Sequence, residues 1–307
     1  MCSSDLIAML RGADNELILR RPWRITAVIP KPVRRVNSAL RGAPKLSLLF
    51  IVFALLCAAF APVIAPYDPI KTDFSAILET PSSAHWMGAD NQGRDILSRT
   101  IYGARISVRI AVIAVFLAAS VGTLVALVAG VFRGWVDTVL MRITDGFMAL
   151  PYLMVALMVV SLMGASITNV ILVIGLLRWM GFARVIRGEV LRLMESDFVR
   201  LARVAGASRS RIMFRHIFPN VINTLLVLLT LEIGLAVITE SSLSFLGLGV
   251  PRPDPSWGSM LRDAQQYIYI AWWSPVFAGL AITMLVMSCN LVGDWLRDRT
   301  DPTRRQL

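Results

Sequence analysis

Residues 110–132 read IAVIAVFLAASVGTLVALVAGVF and carry no charged side chain. A helix that crosses a membrane needs about 20 mostly apolar residues, so this stretch predicts a membrane span. Two more charge-free stretches cover 46–67 and 146–177, and the second is too long for one crossing. Of all 307 residues, 56% are apolar and 17% are charged, whereas soluble domains are about 45–50% apolar and about 25% charged. The sequence therefore predicts a membrane protein and excludes a disordered chain.

The apolar segments predict an all-α integral membrane protein with six transmembrane helices. The small residues Gly164, Ala165 and Ser166 predict a turn that divides the longest apolar stretch. The predicted spans are 46–66, 110–132, 141–163, 168–187, 220–246 and 274–293. Arg178 and Arg184 of the fourth span are expected to reach toward its cytoplasmic end, where long basic side chains extend to water.

The distribution of basic residues predicts the orientation. Six spans place both termini on one side, and 24 Lys and Arg residues lie on that side against five on the other. Basic residues concentrate on cytoplasmic loops, so both termini are expected in the cytoplasm. The net charge of +11 is thereby explained without nucleic acid. The predicted segments are a basic cytoplasmic N-terminal segment (1–45), the first span (46–66), an extracytoplasmic segment (67–102), a five-helix core (103–293) containing the cytoplasmic loop 188–219, and a cytoplasmic tail (294–307).

Motifs for chemistry within this chain are missing from its sequence. Lys71 is followed by Thr72, but Ile70 stands where an ATP-binding P-loop needs glycine. The two histidines, His85 and His216, fall on opposite predicted sides and cannot share one metal. No Gly-x-Ser-x-Gly motif for a nucleophilic serine occurs. We therefore expect no catalytic residue, no metal site and no cofactor bound by this chain, and any ATP hydrolysis must come from another protein.

The loop 188–219 reads GEVLRLMESDFVRLARVAGASRSRIMFRHIFP. Spacings of three and four residues predict one shared helical face for its apolar residues. These residues are Leu191, Met194, Phe198, Leu201 and Ala205. Gly206 predicts the end of that helix and Ser208 the cap of the next one. The small residues between the two helices favour docking of a soluble partner, and a plain helical connector is the alternative.

The second half of this loop, 200–219, resembles the Glu-Ala-Ala loop of bacterial ABC importer permeases. Ala202, Gly206 and Pro219 match the family pattern strictly, whereas Arg200 replaces the glutamate and reverses its charge. Further stretches resemble the C-type permease subunit of dipeptide, oligopeptide and nickel importers. They are HWMGADNQGRDILSRTIYGARIS (85–107), GWVDTVLMRITDGFMALP (134–151), ESSLSFLGLG (240–249), PDPSWGSML (253–261) and GDWLRDRTDP (293–302).

The resemblance implies a type I permease fold in a bacterial plasma membrane and several partners. These are a homologous sister permease chain, two cytoplasmic ABC ATPase subunits that bind ATP and Mg²⁺, an extracytoplasmic substrate-binding protein, and membrane lipid. The expected cargo is a di- or oligopeptide, with nickel, glutathione or haem as alternatives. An ion-coupled secondary transporter is the alternative from another class, although neither an internal repeat nor several paired polar groups support it.

Three groups of residues are candidates for function. The ATPase-docking group comprises Arg200, Leu201, Ala202, Gly206, Ala207, Ser208, Arg211, Arg215 and Pro219, although Arg211 and Arg215 could also serve only orientation. Glu240 and Glu232 are the pathway candidates because intramembrane acids are costly. Glu240 could meet a substrate ammonium group or make a polar contact with a neighbouring helix. The candidates for contact with the binding protein are His85, Trp86, Asp90, Arg94 and Asp95, which could equally pack an outer segment.

Overall fold

The computed structural model describes residues 43–300. Within this range the chain forms nine main helices and no β-strand beyond one isolated bridge between Ala89 and Asp95. The helices are α1 (Lys45–Ile64), α2 (Ile96–Phe132), α3 (Gly134–Met148), α4 (Tyr152–Met163), α5 (Ile167–Met194), α6 (Asp197–Val204), α7 (Arg209–Phe245), α8 (Trp257–Ala264) and α9 (Trp273–Thr300). Most of the predicted N-terminal segment 1–45 and the end of the tail 294–307 lie outside the described residues.

Five of these helices, α1, α2, α5, α7 and α9, are long and apolar enough to cross a membrane. Helix α2 begins well before the predicted span, and its 37 residues extend over about 55 Å. The hydrocarbon core of a bilayer is about 30 Å thick, so α2 projects beyond it. The buried carboxylate of Asp95 caps the helix by accepting a hydrogen bond from the Ser98 N–H at 2.8 Å.

The predicted third span, 141–163, is not one continuous helix. Its residues belong to α3 and α4, whose axes are bent by 84° at a short break. Pro151 stands at the N-cap of α4, and the residue before a proline is disfavoured in α-helical conformation. The third predicted span is therefore a bent pair of helices, which forms a sixth crossing if the two pieces are counted together.

The predicted turn between the third and fourth spans is confirmed. Gly164 has a φ of +83°, a backbone conformation that glycine adopts without a steric penalty. The Ser166 side chain caps α5 by accepting from the Asn169 N–H at 3.0 Å. The Asn169 side chain in turn donates to the carbonyl oxygens of Met163 and Gly164, both at 2.9 Å.

Small residues allow α2 and α5 to pack closely. Gly122 and Gly130 of α2 are buried, and a Cβ added at Gly122 would lie 2.3 Å from the Trp179 carbonyl oxygen. An added Cβ at Gly130 would lie 2.5 Å from a methyl carbon of Val190. Small residues at such crossings bring helix backbones together and increase van der Waals contact. Helices α2 and α5 therefore form a close pair.

The ends of the helices define two sides of the structure. The ends of α2 and α5 and the start of α7 share one apolar cluster, formed by Ala126, Leu127, Val131, Ile186, Val190, Met194, Val199, Ile212, Met213, Ile217 and Val221. We call this end the loop side, because it carries the chain between α5 and α7. The opposite side carries α8, whose Trp257 indole donates to the Thr100 carbonyl at 3.0 Å.

Candidate functional site

The candidate docking loop contains the short helix α6, which ends in a defined turn. Gly206 has a φ of +78°, and its N–H donates to the Arg203 carbonyl at 3.0 Å. The Ala207 N–H donates to the Ala202 carbonyl at 3.0 Å. These two bonds form a Schellman motif, in which glycine accommodates the left-handed residue. The predicted helix stop at Gly206 is confirmed.

The chain resumes its helical path directly after this turn. The Ser208 side chain accepts from the Arg211 N–H at 3.3 Å, which confirms the predicted cap. Residues Ile212–Ile217 are wound as a π-helix, and Pro219 follows within the same long helix. Proline has no N–H to donate to a preceding carbonyl, so the wider turn before it is consistent with its position. Pro219 therefore lies in the first turn of the regular α-helical part of α7, Phe218–Phe245.

The base of the loop is anchored to the transmembrane helices. Val199 of α6 is fully buried in the loop-side cluster. Arg133, at the end of α2, donates at 2.6 Å to a carboxylate oxygen of Glu195, at the end of α5. This hydrogen bond and the charge of Arg133 lower the pKa of Glu195 below its ordinary value. The Arg203 guanidinium donates to the Met194 carbonyl at 3.3 Å. Movement of α6 would therefore disturb the apolar cluster that it shares with α2, α5 and α7.

The outer face of α6 is apolar and exposed. Leu201 is 69% exposed and Val204 is 88% exposed, and Phe198 is also exposed. The prediction that the apolar residues from Leu191 to Ala205 share one helical face is wrong, because the helical path breaks at Glu195 and Ser196 between α5 and α6. Consequently Met194 is buried, whereas the three residues that follow it in that pattern, Phe198, Leu201 and Ala205, are exposed.

The other docking candidates lie around this face. Arg200, Gly206, Ser208, Arg211, Arg215 and Pro219 are exposed, and Ala202 and Ala207 are partly buried. Arg200 lies within 3.7 Å of Glu195 and 3.8 Å of Asp197. These ion pairs are exposed and therefore weak. Most of the candidate docking residues are therefore exposed on the loop side of the structure.

Glu240 lies inside the protein at the far end of α7 and is 0% exposed. The Ser244 hydroxyl donates to its Oε1 at 2.7 Å. Ser107 of α2 and Ser256 beside α8 also lie close to this carboxylate. Buried polar groups need such partners to offset lost hydration. The structure therefore places Glu240 in contact with neighbouring helices, the second of the two roles considered from the sequence.

Glu232, also on α7, is paired with Arg178 of α5. The Arg178 guanidinium also donates to the Thr239 hydroxyl at 3.1 Å, and it lies over the Tyr152 ring at 5.0 Å from the ring centre. The prediction that Arg178 extends toward a membrane surface is therefore wrong. Arg184 pairs instead with Asp145 of α3. The sequence signal for the Arg178 contact was only a charge within an apolar segment.

The five candidates for binding-protein contact separate into two groups. Asp90, Arg94 and Asp95 are buried. Arg94 donates to Asp90 at 2.7 Å, and His85 Nδ1 lies 2.9 Å from an Asp95 oxygen. Buried side chains offer little contact to another protein, so the structure supports the alternative packing role for the three buried residues. Trp86 is 74% exposed and remains available.

A buried charge network near these residues was not predicted. Asp263 of α8 accepts from Arg94 at 3.1 Å, from Arg99 at 3.3 Å and from Arg252 at 2.6 Å. Arg99 lies within 3.5 Å of Asp90, and its Nη1 is buried without a hydrogen-bond partner among residues 43–300. Because Arg94 and Asp263 are 169 positions apart, no local spacing pattern could reveal the pair. The network joins α8 to the start of α2.

This architecture defines a multi-pass helical membrane protein with an anchored, partly apolar loop. Residues 122–306 match the family of binding-protein-dependent transport system inner membrane components. Residues 45–81 match the N-terminal transmembrane domain of oligopeptide transport permease C. The chain belongs to this family of inner-membrane permeases, as a C-type permease of the peptide ABC importer group. Such a permease is not catalytic, and ATP hydrolysis takes place on a separate subunit.

Similar proteins carry the name glutathione transport system permease protein GsiD. The protein from Pectobacterium atrosepticum is 40% identical over 255 residues, which cover 83% of this chain and 85% of that relative. The Escherichia coli protein is 41% identical over 285 residues, covering 92% of this chain and 91% of that relative. The Shigella sonnei protein shows the same identity and coverage, 41% over 285 residues. The similarity therefore includes both the transmembrane helices and the loop.

Proposed function

We propose that this chain forms half of the pathway of an ATP-driven importer for small peptides, with glutathione as the first cargo to test. A homologous sister permease completes the pathway, and a substrate-binding protein delivers the cargo. Two ATPase subunits bind ATP and Mg²⁺, so this chain needs no cofactor. The relatives named for glutathione transport support this cargo over nickel or haem.

The observation that carries this proposal is the exposed apolar face of α6 on an anchored base. Apolar residues such as Leu201 and Val204 lose contact with water when a partner covers them, which favours binding. The buried Val199 packs this helix into the apolar cluster that it shares with α2, α5 and α7. Closure of two docked ATPases would therefore move transmembrane helices as well as the loop.

The sides of the membrane follow from the excess of basic residues on the loop side. We infer that this loop and both termini face the cytoplasm. The exposed Trp86 then faces the binding protein, and large aromatic side chains are common at the centres of protein interfaces. Glu240 would act as a buried anchor between helices and would not touch the cargo.

Reconstitution of the complete importer tests the proposal. The chain is combined in lipid vesicles with its sister permease, the two ATPases and the binding protein. With ATP on the ATPase side, we expect uptake of isotope-labelled glutathione, and we expect that omitting any one component stops it. Solute accumulation by the isolated chain, or failure of the complete complex to take up glutathione and a labelled dipeptide, would contradict the proposal.

Replacing Glu240 tests its anchoring role. Glu240→Gln keeps groups that can bond to the surrounding serines, so we expect glutathione uptake within about twofold of the unchanged importer. Glu240→Leu leaves buried serine hydroxyls without this partner, and we expect lower thermal stability in detergent. A large, selective loss of glutathione uptake in Glu240→Gln at normal stability would instead show contact with the cargo.

A further inference from the structure

An ion pair and a cavity occur together between α5 and α7. Arg178 lies about 16 Å along α5 from its first residue, which is near the middle of a hydrocarbon core about 30 Å thick. Its partner Glu232 comes from α7. The two side chains are only 14% and 18% exposed. Ionisable residues at this depth are costly and commonly mark a transport pathway.

A cavity of about 320 Å³ adjoins this pair, and Arg178 and Glu232 are its two charged lining residues. Binding sites for small molecules typically occupy about 300–1,000 Å³ and combine apolar walls with a few polar groups. The break between α3 and α4 supplies part of the wall through Phe147, Leu150 and Tyr152. The cavity therefore lies beside the break between α3 and α4.

The hydrogen bonds of Arg178 connect α5 to α7. The Arg178 guanidinium donates to Glu232, to Thr239 and to the Leu235 carbonyl, whereas its Nε is buried without a partner among residues 43–300. A purely structural role for the pair has no clear advantage, because apolar residues of similar volume often stabilise a protein as well as a buried ion pair. Two opposite charges that line an otherwise apolar cavity favour a ligand with charged groups of its own.

We propose that Arg178 and Glu232 bind the two charged ends of a small zwitterionic peptide as it passes through the importer. A carboxylate of the peptide would accept hydrogen bonds from Arg178, and its ammonium group would donate to Glu232. In the ion pair, Arg178 contacts a carboxylate and Glu232 contacts a cation. The carboxylate and the ammonium group of the peptide can replace these two partners one for one. This inference rests on the proposed import of small peptides and adds the place where the peptide is held.

Direct binding tests the inference without selection by the binding protein. Purified complex of this chain, its sister permease and the ATPases is dialysed against labelled glutathione, N-acetylglutathione or glutathione diethyl ester. We expect Glu232→Gln to weaken glutathione binding about tenfold and to leave binding of the acetylated ligand unchanged. We expect Arg178→Gln to weaken binding of both ligands with free carboxylates, but not of the diester.

Two further variants separate binding from structure. The double variant Arg178→Gln/Glu232→Gln removes both charges, so neither is left buried without its partner. We expect this variant to bind all three ligands equally weakly. Asp137→Asn breaks the ion pair between Asp137 of α3 and Arg187 of α5, which lies outside the cavity lining. We expect this variant to bind all three ligands like the unchanged complex.

The outcomes distinguish this inference from the proposed function. If the unchanged complex binds none of the ligands at millimolar concentration, or if Glu232→Gln weakens all three equally, the inference is wrong even where vesicles take up glutathione. If the complete importer shows no ATP-driven uptake in vesicles, the proposed function is wrong and the inference fails with it.

Discussion

Val204→Asp is expected to abolish ATP-driven uptake while the chain remains folded in the membrane. Val204 is 88% exposed, so the substitution removes little packing within the chain. In the proposed complex the new carboxylate would be buried at the contact between α6 and the ATPase, and an unpaired buried charge is strongly unfavourable. We expect uptake to fall by at least about a hundredfold, as for a central interface residue.

The measurement compares uptake, ATPase stimulation and retention of the ATPase during purification. Val204→Ile is the matched control, because it keeps an apolar side chain at the same position, and we expect near-normal uptake. Chain abundance in the membrane and thermal stability in detergent should be unchanged in both variants. Normal uptake by Val204→Asp at normal abundance would contradict docking through α6.

Asp263→Ala is expected to remove most of the folded chain from the membrane. Asp263 accepts hydrogen bonds from three arginines, and its side chain is only 7% exposed. Its loss would leave Arg94 and Arg99, both buried, with Asp90 as their shared acidic partner. Breaking a buried ion pair by removing one partner costs about 3–5 kcal/mol, which is a large share of the stability of most domains.

Arg252→Ala provides the matched control for this experiment. Arg252 donates to the same carboxylate at 2.6 Å, but its side chain is 65% exposed. Exposed ion pairs contribute about 0–1 kcal/mol, so we expect little change in stability. Thermal unfolding in detergent and membrane abundance measure both variants. Similar stability of Asp263→Ala and the unchanged chain would show that the network does not hold α8 in place.

The sequence predicted those elements that depend on neighbouring residues. The turn at Gly164 and Ser166, the helix stop at Gly206 and the cap at Ser208 all depend on local backbone conformation and short-range hydrogen bonds. The break at Pro151 had a similar local signal, because proline disfavours helix in the residue before it. It was missed because the apolar run continues through the proline without interruption.

The exposed face of α6 could not be obtained from spacing alone. A regular pattern from Leu191 to Ala205 predicts one apolar face only if the helix is continuous. The break at Glu195 and Ser196 changes the direction of the chain, so the same spacing places Met194 in the core and Leu201 on the surface. Which residues remain exposed was decided by packing of α6 against its neighbours.

The sequence by itself determined that this chain is a helical membrane protein, because long apolar segments must form helices that satisfy their backbone hydrogen bonds in lipid. Its resemblance to importer permeases came from its motifs. Only the tertiary structure decided which charges meet inside it. Arg178 and Glu232 are 54 positions apart, and Arg99 and Asp263 are 164 apart. Electrostatic interactions act through space and depend on distance and burial, and both quantities are fixed only when the helices pack.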